Sequence, residues 1–418
     1  MKRKIGFLVI LMAVLFTFSA CAGGNGGDIS EVTEKPEETF DFNARSVEID
    51  ICDPIVRNYL DATDYETEFA ALKVMTESSR DVQVAELSLK IPKGTAGPCS
   101  FIFSSEADFA KFSIVEIKIK GRTHDGYTEV SYDIEESLIP GNEYFWKVTD
   151  KDGVIIDYGK ISVKDVPVRF INLDCVRNVR DVGGWTAENG KRVSYGLVYR
   201  GTRLNGSVGG SMPLLTEGKA KMRDELGVMT EIDLRTASDS RGINGDVQSE
   251  CFFGNVVDGK NDRNYLKCGI NQYDAVITDS RNYDLLQQIF SCFADEKNYP
   301  IYFHCNAGAD RTGTIAFLLN GLLGVSFEDL TRDFELTSMY SRRWRSKSKN
   351  GAFDGTGANA SGLFQQDSGN YVNWGKLYTD AMAFSEDGTL QNGIENFLKE
   401  RAEITDEQIA RIKSILLK

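Results

Sequence analysis

The run His304-Cys305-Asn306-Ala307-Gly308-Ala309-Asp310-Arg311-Thr312-Gly313 places a thiol and a guanidinium at the two ends of a short segment. A cysteine attacks only as its thiolate, and a free thiol is mostly protonated at neutral pH. A curled loop of backbone N–H groups, followed by the positive end of a helix dipole, stabilises such an anion. That setting brings a cysteine pKa into a range of roughly 3.5–7.5. The same N–H groups bind a phosphate dianion, so Asn306, Ala307, Gly308, Ala309, Asp310 and Arg311 are the expected phosphate-binding segment. Arg311 offers a planar fork that matches two phosphoryl oxygens. The Thr312 hydroxyl is expected to hydrogen-bond the sulfur and ease its departure. Gly308 and Gly313 relieve crowding where the loop turns. The set suits nucleophilic attack by Cys305 on a phosphate ester.

Such a loop needs a strand before it and a helix after it. The apolar run Pro300 to Phe303 predicts the strand, and Thr314 to Leu323 predicts the helix. Runs near 197–200, 228–234 and 300–304 alternate with helical patterns, which predicts an α/β domain with a mostly parallel central sheet flanked by helices. A helix is expected from Thr216 to just before Gly227. The pairs Ser326 with Asp329 and Thr405 with Gln408 are spaced to open two more. Cys292 shares a helical stripe with Leu285, Leu286, Ile289, Phe290 and Phe293 and reads as core.

Phosphate ester cleavage also needs a group to protonate the leaving oxygen. Asp310 lies inside the loop, and Asp233 ends an apolar run at the edge where α/β sites gather. Either suits the acid. Asp181 is a third carboxylate, read as a structural partner of a neighbouring arginine. His304 is expected to position the loop rather than transfer protons. The chain has two histidines, and the other, His124, is remote in sequence, so neither a His-cluster metal site nor a cofactor is expected.

The ten-residue run resembles the active-site loop of the cysteine-based protein tyrosine phosphatases, and within them the bacterial tyrosine and dual-specificity type with an HCxAGKDRTG loop. Asn178-Val179-Arg180-Asp181-Val182-Gly183-Gly184 resembles that family's N-x-R-D-x-G-G motif. Gly196-Leu197-Val198-Tyr199-Arg200-Gly201 resembles its G-x-L-Y-R-S stretch, and Ile232-Asp233-Leu234-Arg235 its I-D-L-R strand end. Asp333-Phe334-Glu335-Leu336-Thr337 and a last helix from Asp406 to Leu417 also fit. The resemblance extends over residues 170–418 and implies hydrolysis of phosphotyrosine proteins or small phosphate esters through a phosphocysteine. It also implies Asp310 as the loop aspartate of the bacterial relatives. Ala309 stands where relatives often carry Lys, and Asn306 is uncharged, which disfavours inositol polyphosphates and phosphoinositides. No Trp-Pro-Asp segment is present.

The 418 residues carry a net charge of −14, which argues against a nucleic-acid partner. Lys2-Arg3-Lys4, a largely apolar run from Ile5 to Phe18, and Ser19-Ala20-Cys21 read as a signal peptide over residues 1–21. Its ending resembles a bacterial lipobox, which makes Cys21 the lipid-modified residue and places the protein in the cell envelope, anchored to a membrane. Residues 22–45 read as a disordered tether. Residues 46–168 carry short alternating runs (84–91, 99–103, 113–119, 128–132, 144–148 and 154–163) between turn signals, as in a β-sandwich. Leu138 to Val148 resembles a late strand of fibronectin type III-like domains. This domain is expected to act as a spacer, with a protein or glycan partner as the alternative. Residues 169–418 form the expected catalytic domain. Six further cysteines (52, 99, 175, 251, 268 and 292) allow disulfides outside the cytoplasm or buried free thiols. The stretch 342–375, basic and then rich in Gly, Ser and Asn, is expected to be a long loop.

Overall fold

The computed structural model describes residues 40–77, 84–206, 213–236, 251–258, 260–340 and 368–418. The signal peptide, Cys21 and most of the 342–375 stretch lie outside them. The chain forms two compact units. One takes the chain up to Ile49, Ala85–Ile134 and Asn142–Val163. The other takes Asp50–Val84, Glu135–Gly141 and Lys164–Lys418.

The first unit holds two sheets. Five strands run in the order Ser46–Ile49, Ile155–Val163, Glu143–Thr149, Cys99–Ser104 and Ser113–Ile117. Three more run Ala85–Pro92, Tyr127–Ile134 and Arg122–Thr123. The strands obey the period of two. Leu87, Leu89 and Ile91 are buried while Glu86, Ser88 and Lys90 are exposed. Phe101, Trp146, Val148 and Ile161 are buried on the larger sheet. The ring of Phe101 lies 4.1 Å from that of Tyr132 on the smaller one.

The expected all-β stretch 46–168 needs correction. Pro54–Leu60 and Tyr65–Glu77 are α-helices, and they belong to the second unit. The cause is visible in the residues. Asp53 caps the first helix by accepting from the Ile55 N–H at 2.8 Å, and Pro54 stands at its first position, where proline costs no hydrogen bond. Val56, Tyr59, Leu72 and Met75 then supply a buried stripe.

The second unit is α/β. Its sheet runs Asn264–Lys267, Thr230–Asp233, Ile301–His304, Val198–Gly201, Arg180–Asp181. The first four strands are parallel and the last is antiparallel. Three of them, Val198–Gly201, Thr230–Asp233 and Ile301–His304, are buried at all four residues, as expected for parallel strands covered on both faces. Helix Asp310–Leu322 is buried from Thr312 to its end, and starts earlier than the apolar run implied. Tyr283–Phe293, Leu390–Ala402 and Asp406–Leu416 complete the layers, and Cys292 packs against the core. Thr405 and Gln408 form a full capping box. Ser326 accepts from the Asp329 N–H at 3.2 Å to open Phe327–Leu336. The helix at Thr216 runs to Ala220 and continues as a π-turn through Glu225. Gly227, at φ 64°, stands just past its end. Residues 368–375 belong to helix Ser368–Met382, so the expected loop ends sooner than foreseen.

Candidate active site

The sheet brings three strand ends level: Gly201 and Asp233 both stand in register with His304. The chain leaves the sheet there as Cys305 and re-enters regular structure at Asp310. Cys305 is buried, with 2% of its surface exposed. Ala309 precedes the helix and supplies no side-chain cap. The first intrahelical bond runs from the Gly313 N–H to the Ala309 carbonyl at 2.8 Å. Three first-turn N–H groups, from Asp310, Arg311 and Thr312, therefore have no acceptor within the helix. That end is suited to an anion.

The loop's shape is imposed from outside by buried polar groups. The Asn178 amide donates to the carbonyls of Ala307 and Gly308, each at 3.1 Å. Arg180 donates to the Asn178 side-chain oxygen at 2.5 Å and to the Asp333 carboxylate at 2.8 Å. Arg200 donates to the other Asp333 oxygen and, at 3.0 Å, to the Gly308 carbonyl. Burial pushes the Asp333 pKa up, but Arg180 and Arg200 outweigh it and hold the carboxyl below its ordinary value. Gly308 has φ 66°, and a Cβ there would fall 2.5 Å from the Gly201 backbone, so only glycine fits. The sequence alone offers Arg180 as an ion-pair partner of a nearby aspartate and assigns Asn178, Arg200 and Asp333 no role beyond lying in family-like segments.

The candidate acids separate clearly. Asp233 is fully buried. It accepts two bonds from the Arg235 guanidinium at 2.8 and 2.7 Å, and one each from the Arg235 N–H, the Tyr265 hydroxyl and Lys267. Burial alone would raise its pKa. His304, Arg235 and Lys267 overcome that and hold the carboxyl far below the usual range. A group so ionised has no proton to give, so Asp233 as general acid is set aside; it braces the strand end. Asp181 accepts from Arg169 at 3.0 Å and from the N–H groups of Gly183 and Gly196. Burial raises its pKa in spite of Arg169; its ion-pair partner is Arg169 rather than the adjacent Arg180, which bonds Asp333 instead. Asp310, half-buried at the helix start, accepts from the Tyr273 hydroxyl.

Thr312 departs from expectation. Its hydroxyl is buried and makes no hydrogen bond, to Cys305 or otherwise, among the described residues. Arg311 is half-buried at the loop's end, and one of its guanidinium nitrogens lies 3.4 Å from the Leu234 carbonyl. Arg203, which the sequence reading missed, lies beside the loop. Its N–H donates to the Asn306 carbonyl at 3.2 Å and its guanidinium approaches the Asn306 side chain at 3.4 Å. His304 is buried between Glu231 and the Cys305 carbonyl. His124 pairs with Glu129 in the other unit. The seven described cysteines are free thiols. Among the described residues no group of three or more His, Cys, Asp or Glu could hold a metal. No described helix is long and apolar enough to cross a membrane.

With its fold and loop in view, the chain belongs to the tyrosine phosphatase family, whose profile matches residues 171–418. It is 34% identical over 83 residues to a tyrosine-protein phosphatase of Nostoc commune, covering 20% of this chain and 28% of that protein. It is 26% identical over 179 residues to a protein named as a tyrosine-protein phosphatase in Cupriavidus necator, covering 38% of this chain and 60% of that protein. Both alignments thus span less than two thirds of the relatives' lengths. Among solved structures, the core catalytic domain of a PP-IP phosphatase from S. cerevisiae aligns with 16% identity and a TM-score of 0.23, over 37% of this chain and 77% of that one.

Proposed function

We propose that this protein is an exported, lipid-anchored phosphatase acting on phosphate monoesters, with phosphotyrosine in proteins as the leading substrate. The observation that carries the reading is the loop itself. Cys305 starts it, Arg311 ends it, and Asn178, Arg180 and Arg200 hold its outer face. In the first step the Cys305 sulfur forms a bond to phosphorus while the bond to the tyrosyl oxygen breaks. Asp310 supplies the proton to that oxygen. Loop N–H groups and Arg311 hold the three remaining phosphoryl oxygens. In the second step water attacks the phosphocysteine, Asp310 takes a proton, and the sulfur leaves as thiolate. As the sulfur gains charge, the unpartnered Thr312 hydroxyl is available to turn toward it.

Anchoring rests on Cys21 after the signal peptide, with a membrane as the protein's support. The two sheets of the first unit support a fibronectin type III-like sandwich over the corrected residues. It serves as a spacer, or as a module for a protein or glycan. Arg203 beside Asn306 favours a second reading, an inositol phosphate ester, which Ala309 and Asn306 oppose.

The test is hydrolysis of a phosphotyrosine peptide and of inositol hexakisphosphate by the reduced full chain in EDTA, beside Cys305→Ser. Peptide turnover that survives EDTA and disappears in Cys305→Ser supports the proposal. Preference for the inositol phosphate selects the second reading. Undiminished turnover in Cys305→Ser overturns both. Labelled fatty acid that enters wild type but not Cys21→Ser tests the anchor.

A further inference from the structure

We propose that Glu231 is a positioning residue that acts on Cys305 through His304, by keeping the imidazole doubly protonated beside the nucleophile. The inference rests on the reading of Cys305 as that nucleophile. The geometry is closed on both sides of the ring. Nε2 of His304 lies 3.0 Å from Oε1 of Glu231, and Nδ1 lies 3.1 Å from the backbone carbonyl of Cys305. Both facing atoms are acceptors. A neutral imidazole has one donor and one acceptor nitrogen, so it satisfies one contact and sets a lone pair against oxygen at the other. An imidazolium donates at both. Bulk solvent does not reach the ring, because His304 is 0% and Glu231 1% exposed.

The carboxylate is itself fixed. Its other oxygen accepts from the Phe252 N–H at 2.7 Å. It therefore cannot swing away from the ring without losing a second bond. Thr230–Asp233 and Ile301–His304 are adjacent parallel strands, so the pair is set by sheet register rather than by loop conformation. Other titratable and charged groups also face this pair. Asp233 lies across the strand from His304, with Arg235, Tyr265 and Lys267 gathered on it. The Tyr302 ring lies tilted to the imidazole, at 5.7 Å between centroids. Cys251 lies against Glu231. Asp233 also favours a charge on His304, but its oxygens are taken by Arg235, Tyr265 and Lys267, and Glu231 is the carboxylate in hydrogen-bond reach of the ring.

A cation joined to the Cys305 carbonyl favours the thiolate over the thiol. In Glu231→Gln the amide can donate to Nε2. The ring then becomes neutral while Nδ1–H still reaches the carbonyl. The tautomer at the loop is kept and the charge is lost.

The measurement is the pH dependence of Cys305 alkylation by iodoacetamide, read by mass spectrometry on its peptide, in wild type, Glu231→Gln and Glu231→Asp. It needs no substrate, so it stays readable if the proposed phosphatase substrate is wrong. The expected result is an apparent Cys305 pKa about 1 unit or more higher in Glu231→Gln, substantially restored in Glu231→Asp. Where turnover is present, the acid limb of kcat/KM moves by the same amount. An unchanged Cys305 pKa in folded Glu231→Gln overturns the proposal. If that variant does not fold, the ¹⁵N shifts of the His304 ring in a His124→Gln background decide. Two protonated nitrogens at neutral pH support the proposal, and one unprotonated nitrogen overturns it.

Discussion

The two units handle charge in opposite ways. In the first, most described ion pairs reach the surface, as Lys151 with Asp152 at 50% and 65% exposure and Lys160 with Glu143 at 15% and 52%, and the most enclosed, Arg45 with Asp157, keeps 25% and 9%. The strands there bury one face and wet the other. In the second, Arg180, Arg200 and Arg235 are buried to 1% or less, with Asp333 and Asp233 as partners. Buried ion pairs are a poor source of stability, because desolvation offsets the attraction. Their gathering near the C-terminal ends of Val198–Gly201 and Thr230–Asp233 and the start of antiparallel Arg180–Asp181 therefore marks where shape matters more than stability. Arg180, Arg200 and Asp333, with Asn178, fix the shape of the Cys305 loop.

That contrast can be broken by substitution. Asp333→Ala should show the largest effect on stability, because it strands two buried guanidiniums; the expected cost is about 3–5 kcal/mol in urea unfolding, with loss of activity before unfolding. Gly308→Ala should cost about 1–3 kcal/mol for its left-handed backbone and reduce turnover further than its stability loss explains. Tyr59→Phe removes a hydroxyl that donates to the buried Glu335 carboxylate, for about 1–3 kcal/mol. Lys160→Ala, on the surface of the first unit, should change stability by less than about 1 kcal/mol. If Lys160→Ala matched Asp333→Ala, the contrast between the units would fail.

Acid gives a second way to sharpen it. Asp233 and Asp333 have depressed folded pKa values. Their stabilisation is fully present above the unfolded value of about 3.9 and is lost as pH falls through the folded values. Asp181, raised by burial, runs the other way and gains protonated-state stability as pH falls. Urea unfolding from pH 7 down to about pH 2 should therefore show the wild type's advantage over Asp233→Asn intact above about pH 4 and shrinking progressively below it. An advantage constant with pH would contradict the ionised assignment.

The loop and its strand and helix were legible because a thiol, a guanidinium and two glycines at fixed spacing are local signals. The partners that seat the loop were not. Asp333 meets Arg180 from 153 positions away, and no short-range pattern encodes that. Glu231 and Asp233 alternate with Thr230 and Ile232 along their strand, yet all four residues are buried. Here buried charge overrides the alternation rule, which hides Glu231. The helices at 54–77 were masked by the strand-rich sequence that follows them. Asp233 looked as suitable an acid as Asp310 until the Arg235 fork appeared beside it.

The most direct measurement is to trap the intermediate. The reduced protein is mixed with a phosphotyrosine peptide, quenched in acid within the first turnover, digested and examined by mass spectrometry. The account predicts one phosphoryl group on the sulfur of Cys305, absent from Cys305→Ser and accumulating in Asp310→Asn if that aspartate also serves the second step. Turnover with no phosphocysteine at Cys305, or with the phosphoryl group on another residue, would contradict it.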